Sequence, residues 1–116
     1  KNDSPLYDIT GLLEIGRGNQ AFVRKMVSLF CSQSPGMVQE IKNAFAAGDL
    51  ASMGAVAHKM KPSIDNLRIY ELKTKIRQIE ECGKSGKKAA GLNDLLAQTE
   101  QIISQVIRSL EADFPE

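Results

Sequence analysis

The only histidine of the chain, His58, lies in the segment AHKMKPSI, which spans residues 57–64. Lys59 and Lys61 follow it closely, and Pro62 comes four positions after it. A histidine can bind a metal, act as a general base or attack an electrophile with its free ring nitrogen. The segment therefore raises two questions: which of these roles His58 has, and how a helix tolerates the proline.

The surrounding residues argue against two of these chemistries. A metal site needs several ligands, and no cysteine, second histidine or carboxylate lies at a ligand spacing from His58. A Ser-His-Asp or Cys-His hydrolase needs a nucleophile loop and an oxyanion hole, and the sequence carries no motif for either. His58 is therefore interpreted as an inert surface residue or as a nucleophile.

The helical register around His58 turns its side chain outward. At about 100° per residue, His58 lies roughly 130° from the centre of the apolar face. Its expected outward neighbours, Ala51, Gly54 and Ala55, are small, so the imidazole should be approachable. A glycine in an exposed helix interior costs about 1 kcal/mol relative to alanine, which the fold alone does not explain. The apolar face, with spacings of three and four, comprises Leu50, Met53, Ala57, Met60, Ile64 and Leu67.

Helical periodicity dominates from residue 10 onward and predicts an all-α fold. Asn19 and Asp49 are the expected N-caps, Gly48 is an expected C′ residue, and the SP pair at 34 and 35 is expected to begin a new helix. The predicted helices are a short one after residue 8 or 10, then 20–33, 35–47, 50–67, 69–82 and 92–112, with a flexible basic loop over 83–91. Short connections favour an antiparallel four-helix bundle from about residue 35 onward, with one or two additional N-terminal helices.

Length and composition predict a single domain of ordinary size. The 116 residues carry a formal charge of +1, which supports neither nucleic-acid binding nor contact with a membrane surface. No apolar run approaches the roughly 20 residues of a membrane span, so we expect a cytoplasmic location. Cys31 and Cys82 lie in apolar helical patterns, where reduced thiols are expected. Residues 1–7 are expected to be disordered or a linker.

The segment AHKMKPSIDNL resembles the motif of histidine-containing phosphotransfer (HPt) domains of two-component phosphorelays, a helical histidine followed at the third position by lysine and usually then by glycine. The chain before it is similar to the family's pattern as well: an introductory short helix, a helix, a TP-like break, another helix, and GD before the histidine helix. The resemblance extends over most of the chain. It implies that residues 1–116 are one HPt domain, a phosphoryl carrier between receiver domains.

The resemblance implies roles for individual residues. His58 would accept a phosphoryl group from the aspartyl phosphate of one receiver and pass it to the aspartate of another, while Lys61 would help to neutralise the phosphoryl charge. Glu80 is the best match for the neighbouring-helix residue that orients the imidazole, with Gln78 and Glu81 as alternatives. Receivers would dock on the outward side of the histidine helix and on exposed residues of the helix over 20–33. The docking residues expected on the histidine helix are Ala51, Gly54, Ala55, Lys59 and Pro62.

The resemblance also implies a carrier that is not itself an enzyme. The receiver's acidic pocket and its Mg²⁺ would supply most of the catalysis, so no cofactor is expected on this chain. The implied partners are response-regulator receiver domains, with a hybrid sensor histidine kinase as a further candidate, and a monomer is expected. Two alternatives stay open: a non-catalytic helical interaction module without phosphotransfer, and a histidine kinase dimerisation domain, whose ATP-binding domain this sequence does not show.

Two residues depart from the family pattern. Pro62 stands where the family most often has glycine, and Arg68 stands where it often has another glycine near the helix end. Pro62 removes the amide that would bond the carbonyl of His58. Since that face is exposed, water can satisfy the carbonyl, and we expect a mild kink rather than a break in the helix.

Overall fold

Five helices and no strand make up residues 6–115, the part of the chain that this computed structural model describes. The all-α fold predicted from the sequence is confirmed. No helix within these residues is long and apolar enough to cross a membrane. The helices are α1 (Thr10–Ile15), α2 (Gln20–Ala46), α3 (Leu50–Asn66), α4 (Tyr70–Ser85) and α5 (Leu92–Asp113).

Helices α2 to α5 form an antiparallel four-helix bundle around one apolar core. Helix α3 packs against α2 and α4, and α5 closes the bundle by packing against α4 and α2. Each helix contributes an apolar face at helical spacing, and burying these faces against one another provides the main stabilisation. Residues that are fully buried include Val23, Met53, Ile64, Ile76, Val106 and Leu110.

The predicted break at the SP pair is wrong, because α2 continues without interruption from Gln20 to Ala46 with Pro35 inside it. The two helices expected over 20–33 and 35–47 are therefore one, and the bundle begins at residue 20 rather than near residue 35. Pro35 is exposed, so water can reach the carbonyl that its missing N–H leaves unpaired. The buried side of α2 stays in one register across the proline. Its apolar residues are Val23, Val27, Phe30, Val38 and Ile41.

The turn between α2 and α3 follows the predicted capping pattern. Asp49 is the N-cap of α3, and its side chain accepts a hydrogen bond from the backbone N–H of Ser52 at 3.1 Å. Gly48 has a φ of +75°, the left-handed conformation that glycine adopts without a Cβ penalty. Asn19 caps α2 in the same way by accepting from the N–H of Phe22 at 3.1 Å. Local sequence signals therefore determine where the second and third helices begin.

The end of α3 explains the second departure from the family pattern. Arg68 has a φ of +50°, a conformation in which glycine carries no steric penalty. The N–H of Ile69 donates to the carbonyl of Ile64 at 3.1 Å, and the N–H of Arg68 donates to that of Asp65 at 3.1 Å. These two bonds define a Schellman motif, so the helix ends as it would with glycine and Arg68 accepts the left-handed strain.

The N-terminal segment packs against the bundle from residue 6, where the described chain begins. The predicted linker covers residues 1–7, of which 1–5 lie outside the described residues. Leu6 and Tyr7 pack partly against the core, and the Tyr7 hydroxyl donates a hydrogen bond to Asp113 at the end of α5. The N–H of Asp8 donates to the carbonyl of Leu67 at 2.7 Å. The start of the described chain is therefore attached to the ends of α3 and α5.

Helix α4 is longer than predicted. It runs to Ser85, so Gly83, Lys84 and Ser85 belong to the helix rather than to the expected loop, which is reduced to residues 86–91. Gly86 follows with a φ of +69° and ends the helix in the left-handed conformation. The added turn extends α4 alongside the N-terminal part of α3, where Gly83 contacts Gly54.

Candidate functional site

His58 lies on α3 with 67% of its side chain exposed. This orientation follows from the packing of α3, because the face that carries Ala57, Met60 and Ile64 is buried in the core and His58 lies on the other side of the helix. Helix α3 continues through Pro62 to Asn66, and Pro62 itself is exposed. The imidazole is therefore presented to solvent on a continuous helix, as its sequence register predicts.

Glu80 of α4 bonds to the inner side of the imidazole. Its Oε2 lies 2.6 Å from Nδ1 of His58, and only 7% of its side chain is exposed. The two alternatives from the sequence, Gln78 and Glu81, are exposed on α4, and neither has a hydrogen bond to His58 in the structure. Of the three candidates, only Glu80 is in a position to orient the ring.

Lys61 approaches the same carboxylate from α3. Its Nζ lies 2.7 Å from Oε1 of Glu80, and its side chain is 23% exposed. The stem of Lys61 folds toward α4, where its ammonium joins the buried carboxylate. His58 and Lys61 thus occupy the two oxygens of one acidic side chain.

A further cation, Lys84, belongs to this cluster and was not identified from the sequence. Its Nζ lies 3.7 Å from Oε2 of Glu80, the oxygen that also contacts His58, and its side chain is 67% exposed. The signal was the spacing of four residues between Glu80 and Lys84, which brings two side chains together on a helix. The sequence predicts a loop at residue 84, and the spacing has this meaning only within a helix.

The surrounding donors keep Glu80 ionised in spite of its burial. The hydrogen bond from Lys61 contributes most, followed by the one from His58, and together they lower the pKa of Glu80 to about 2. A carboxylate without a proton can only accept hydrogen bonds. Nδ1 of His58 is therefore the donor in the 2.6 Å contact, which leaves Nε2 as the ring nitrogen that carries the lone pair whenever the ring is neutral.

Gly54 does not have the exposed position expected from the sequence. It is buried against α4, where a Cβ at residue 54 would lie 2.7 Å from the Cα of Gly83 and 3.1 Å from the carbonyl oxygen of Glu80. The prediction that Gly54 contributes to an exposed docking surface is therefore wrong. The physical reason is the pair of glycines, which lets the two backbones approach more closely than side chains allow.

The other expected docking residues do lie at the surface. Ala51, Ala55, Lys59 and Pro62 are all exposed on α3. Ala51 and Ala55 are small, so a partner can approach His58 from this side without displacing long side chains. Together with His58 they form what we call the α3 surface: Ala51, Ala55, His58, Lys59 and Pro62.

The remaining candidate groups contribute nothing to this site. Cys31 is half-buried and Cys82 is buried, and both are free thiols. Burial raises the pKa of the Cys31 thiol. Among the described residues no group of three or more histidine, cysteine, aspartate or glutamate side chains could hold a metal ion.

The bundle exposes His58, and the buried carboxylate of Glu80 holds the inner nitrogen of its ring, which is the arrangement that the resemblance to histidine-containing phosphotransfer domains implies. The sequence model of the Hpt domain family matches residues 25–111, and the chain therefore belongs to that family. This membership supports a general role in a phosphotransfer relay, as a phosphoryl carrier that interacts with receiver or kinase partners.

A solved structure has the same fold. The crystal structure of histidine-containing phosphotransfer protein B (HptB) from Pseudomonas aeruginosa PAO1 superimposes with a TM-score of 0.83, covering 97% of this chain and 96% of that one. The two sequences are 19% identical, so this similarity concerns the fold alone. No curated protein matches the chain.

Proposed function

We propose that His58 accepts a phosphoryl group on Nε2 from the aspartyl phosphate of one receiver domain and passes it to the aspartate of another. The observation that carries the proposal is the 2.6 Å hydrogen bond between Nδ1 of His58 and Glu80, with 67% of the imidazole side chain exposed. This arrangement supports a nucleophile whose lone pair points toward an incoming partner.

The transfer step is a displacement at phosphorus. The lone pair of Nε2 forms the N–P bond while the P–O bond to the receiver's aspartate breaks, and that carboxylate leaves with the electron pair. The proton stays on Nδ1, so the phosphorylated ring is an imidazolium whose positive charge faces the carboxylate of Glu80. Transfer to the second receiver reverses these steps, and the histidine returns to its neutral form.

The cations of the site have a separate task. Lys61 is held 2.7 Å from Glu80, next to the imidazole, and its flexible stem lets the ammonium turn toward a phosphoryl group on Nε2. Lys84, 3.7 Å from the same carboxylate, adds a second positive charge on the α4 side. Neutralising the charge on the oxygens of the phosphoryl group is one of the two contributions to phosphoryl transfer, and positioning of the reacting groups is the other.

The partner supplies the rest of the chemistry in this proposal. The receiver contributes its acidic pocket and its Mg²⁺, and it docks on the α3 surface and on exposed residues of α2 between 20 and 33. The chain acts as a monomeric carrier in the cytoplasm, receiving from a response regulator or from the receiver of a hybrid sensor kinase. Lys59 contributes charge to docking and does not react.

Labelling with a phosphorylated receiver tests the proposal. Wild-type protein should become labelled with phosphate that is labile in acid and stable in base, and His58→Gln should stay unlabelled. Glu80→Gln should accept phosphate on the order of ten-fold more slowly, because an amide cannot offset the imidazolium charge. Glu81→Gln is the matched control, since Glu81 is adjacent but exposed. Equal labelling of wild type and His58→Gln rejects the proposal, and absence of label from both proteins favours a non-catalytic interaction module.

A further inference from the structure

The backbones of α3 and α4 meet at two glycines next to the proposed phosphorylation site. A Cβ on Gly54 would lie 2.7 Å from the Cα of Gly83, and a Cβ on Gly83 would lie 2.5 Å from the Cα of Gly54 and 2.8 Å from the carbonyl oxygen of Leu50. All these neighbours are backbone atoms, which cannot rotate away as a side chain can. Any residue larger than glycine therefore forces the two helices apart at this point.

The crossing is coupled to the site by short stretches of helix. Gly54 precedes His58 by four residues on α3, and Gly83 follows Glu80 by three residues on α4. The coupling is also direct, because the Cβ position of Gly54 lies 3.1 Å from the backbone carbonyl oxygen of Glu80 itself. A methyl group at residue 54 would push against the residue that holds the imidazole.

The separation of α3 and α4 that an alanine would require is as large as the lengthening that the His58–Glu80 hydrogen bond can tolerate. Ordinary van der Waals contact for a Cβ begins at 3.4 Å, so an alanine at residue 54 or 83 requires a separation of about 0.7–0.9 Å beyond the present one. The His58–Glu80 hydrogen bond is 2.6 Å long. Lengthening it by that amount takes it beyond the range of normal hydrogen bonds, which ends near 3.2 Å.

We propose that Gly54 and Gly83 are positioning residues, whose contact sets the distance between α3 and α4 at which Glu80 holds His58 in the Nδ1-protonated form. The consequence for phosphoryl transfer rests on the proposed function. A ring without this partner would present an unprotonated Nε2 only part of the time. Its structural part, the control of the tautomer, does not depend on phosphotransfer.

The test uses the fact that the chain contains one histidine. Nitrogen-15 NMR of histidine-labelled protein reports the protonation of each ring nitrogen of His58 without ambiguity. We expect protonated Nδ1 and unprotonated Nε2 in wild type, and a mixture of both tautomers in Gly54→Ala and Gly83→Ala. Gly36→Ala is the matched control: it is also a helical glycine, but no atom lies within 4 Å of its Cβ position, so its spectrum should equal that of wild type.

Phosphotransfer from a labelled receiver gives the second readout. Both alanine variants should accept phosphate at least ten-fold more slowly, since misplacing a reacting group by about 1 Å costs up to about a hundred-fold. A folded Gly54→Ala protein that keeps the wild-type tautomer signals overturns the inference. If phosphotransfer is absent from the wild type while the tautomer changes as expected, the proposed function fails and the positioning role stands.

A second variant keeps the inference testable if the alanine variants do not fold. Glu80→Asp shortens the reach of the carboxylate and leaves both glycines in place. If the distance between the helices determines the tautomer, this variant must also lose the pure Nδ1-protonated signature. An unchanged signature in Glu80→Asp means that the separation is not critical, and the inference is then rejected whatever the alanine variants do.

Discussion

Pro62 offers the most direct test of how α3 carries a proline beside its histidine. Inside a helix a proline costs about 3 kcal/mol and a glycine about 1 kcal/mol relative to alanine. Pro62 lies within α3, which continues to Asn66, so its missing N–H leaves the carbonyl of His58 without its helical partner. Replacing Pro62 by alanine or glycine restores that hydrogen bond.

We do not expect the substitutions of Pro62 to recover the full cost of a proline inside a helix, which is about 3 kcal/mol. Pro62 is exposed, so water can reach the carbonyl of His58, and a proline also stabilises the fold by restricting the unfolded chain. We expect Pro62→Ala to raise the free energy of unfolding by about 1–3 kcal/mol, and Pro62→Gly to raise it by about 1 kcal/mol less. In a domain of this size, 1 kcal/mol corresponds to roughly 3–5 °C in melting temperature.

Urea denaturation of the three proteins measures the series, with stability expected to increase from wild type to Pro62→Gly to Pro62→Ala. Pro35→Ala is the matched control, because Pro35 is an exposed proline inside α2 and should give a gain of similar size. A Pro62→Ala protein that is less stable than wild type refutes the reasoning, since the ring would then contribute packing that outweighs the hydrogen bond. The folded Pro62→Gly variant should also alter the preference among receivers, measured as relative labelling by two of them.

Two further predictions concern single residues of the site and of the fold. The folded-state pKa of Glu80 is lowered from 4.5 to about 2. The stability that its ionised carboxylate contributes is therefore present above pH 4.5 and is lost as the pH falls toward 2. The stability difference between wild type and Glu80→Gln, measured by urea denaturation from pH 6 to pH 2, should therefore shrink over that range; a constant difference contradicts the role of ionised Glu80. At the end of α3, where φ is +50°, Arg68→Val should be less stable than Arg68→Asn by about 1–2 kcal/mol, because asparagine tolerates the left-handed conformation. Equal stability of the two variants would show that the backbone there relaxes without cost.

Local signals in the sequence were sufficient for most of the secondary structure. The N-caps at Asn19 and Asp49 and the left-handed Gly48 depend on interactions within a few residues, and the structure has all three. The sequence predicts that α4 ends at Cys82, three residues before its observed end, because Gly83 and Ser85 are typical of a loop. Packing of α4 against α3 overrides that composition, and the helix continues to Ser85.

The break at Pro35 was predicted for a similar reason and was wrong. A serine followed by proline is typical of a helix start, and the signal is equally compatible with a proline inside a long helix whose exposed face tolerates it. The buried residues on both sides, such as Phe30 and Val38, stay on one face of α2. Burying this continuous face stabilises the uninterrupted helix by more than the missing hydrogen bond costs.

By itself the sequence determined the helical class and the outward orientation of His58, because both follow from the periodicity of apolar residues. The motif that the chain resembles indicated Lys61 and Glu80 as the side chains that act with His58. Only the tertiary structure decided that Lys61 and Lys84 share the carboxylate of Glu80, and that Gly54 is buried rather than exposed. The physical reason is that both facts depend on the distance and rotation between α3 and α4. Those quantities depend on where two backbones can touch, and periodicity along a single helix carries no information about them.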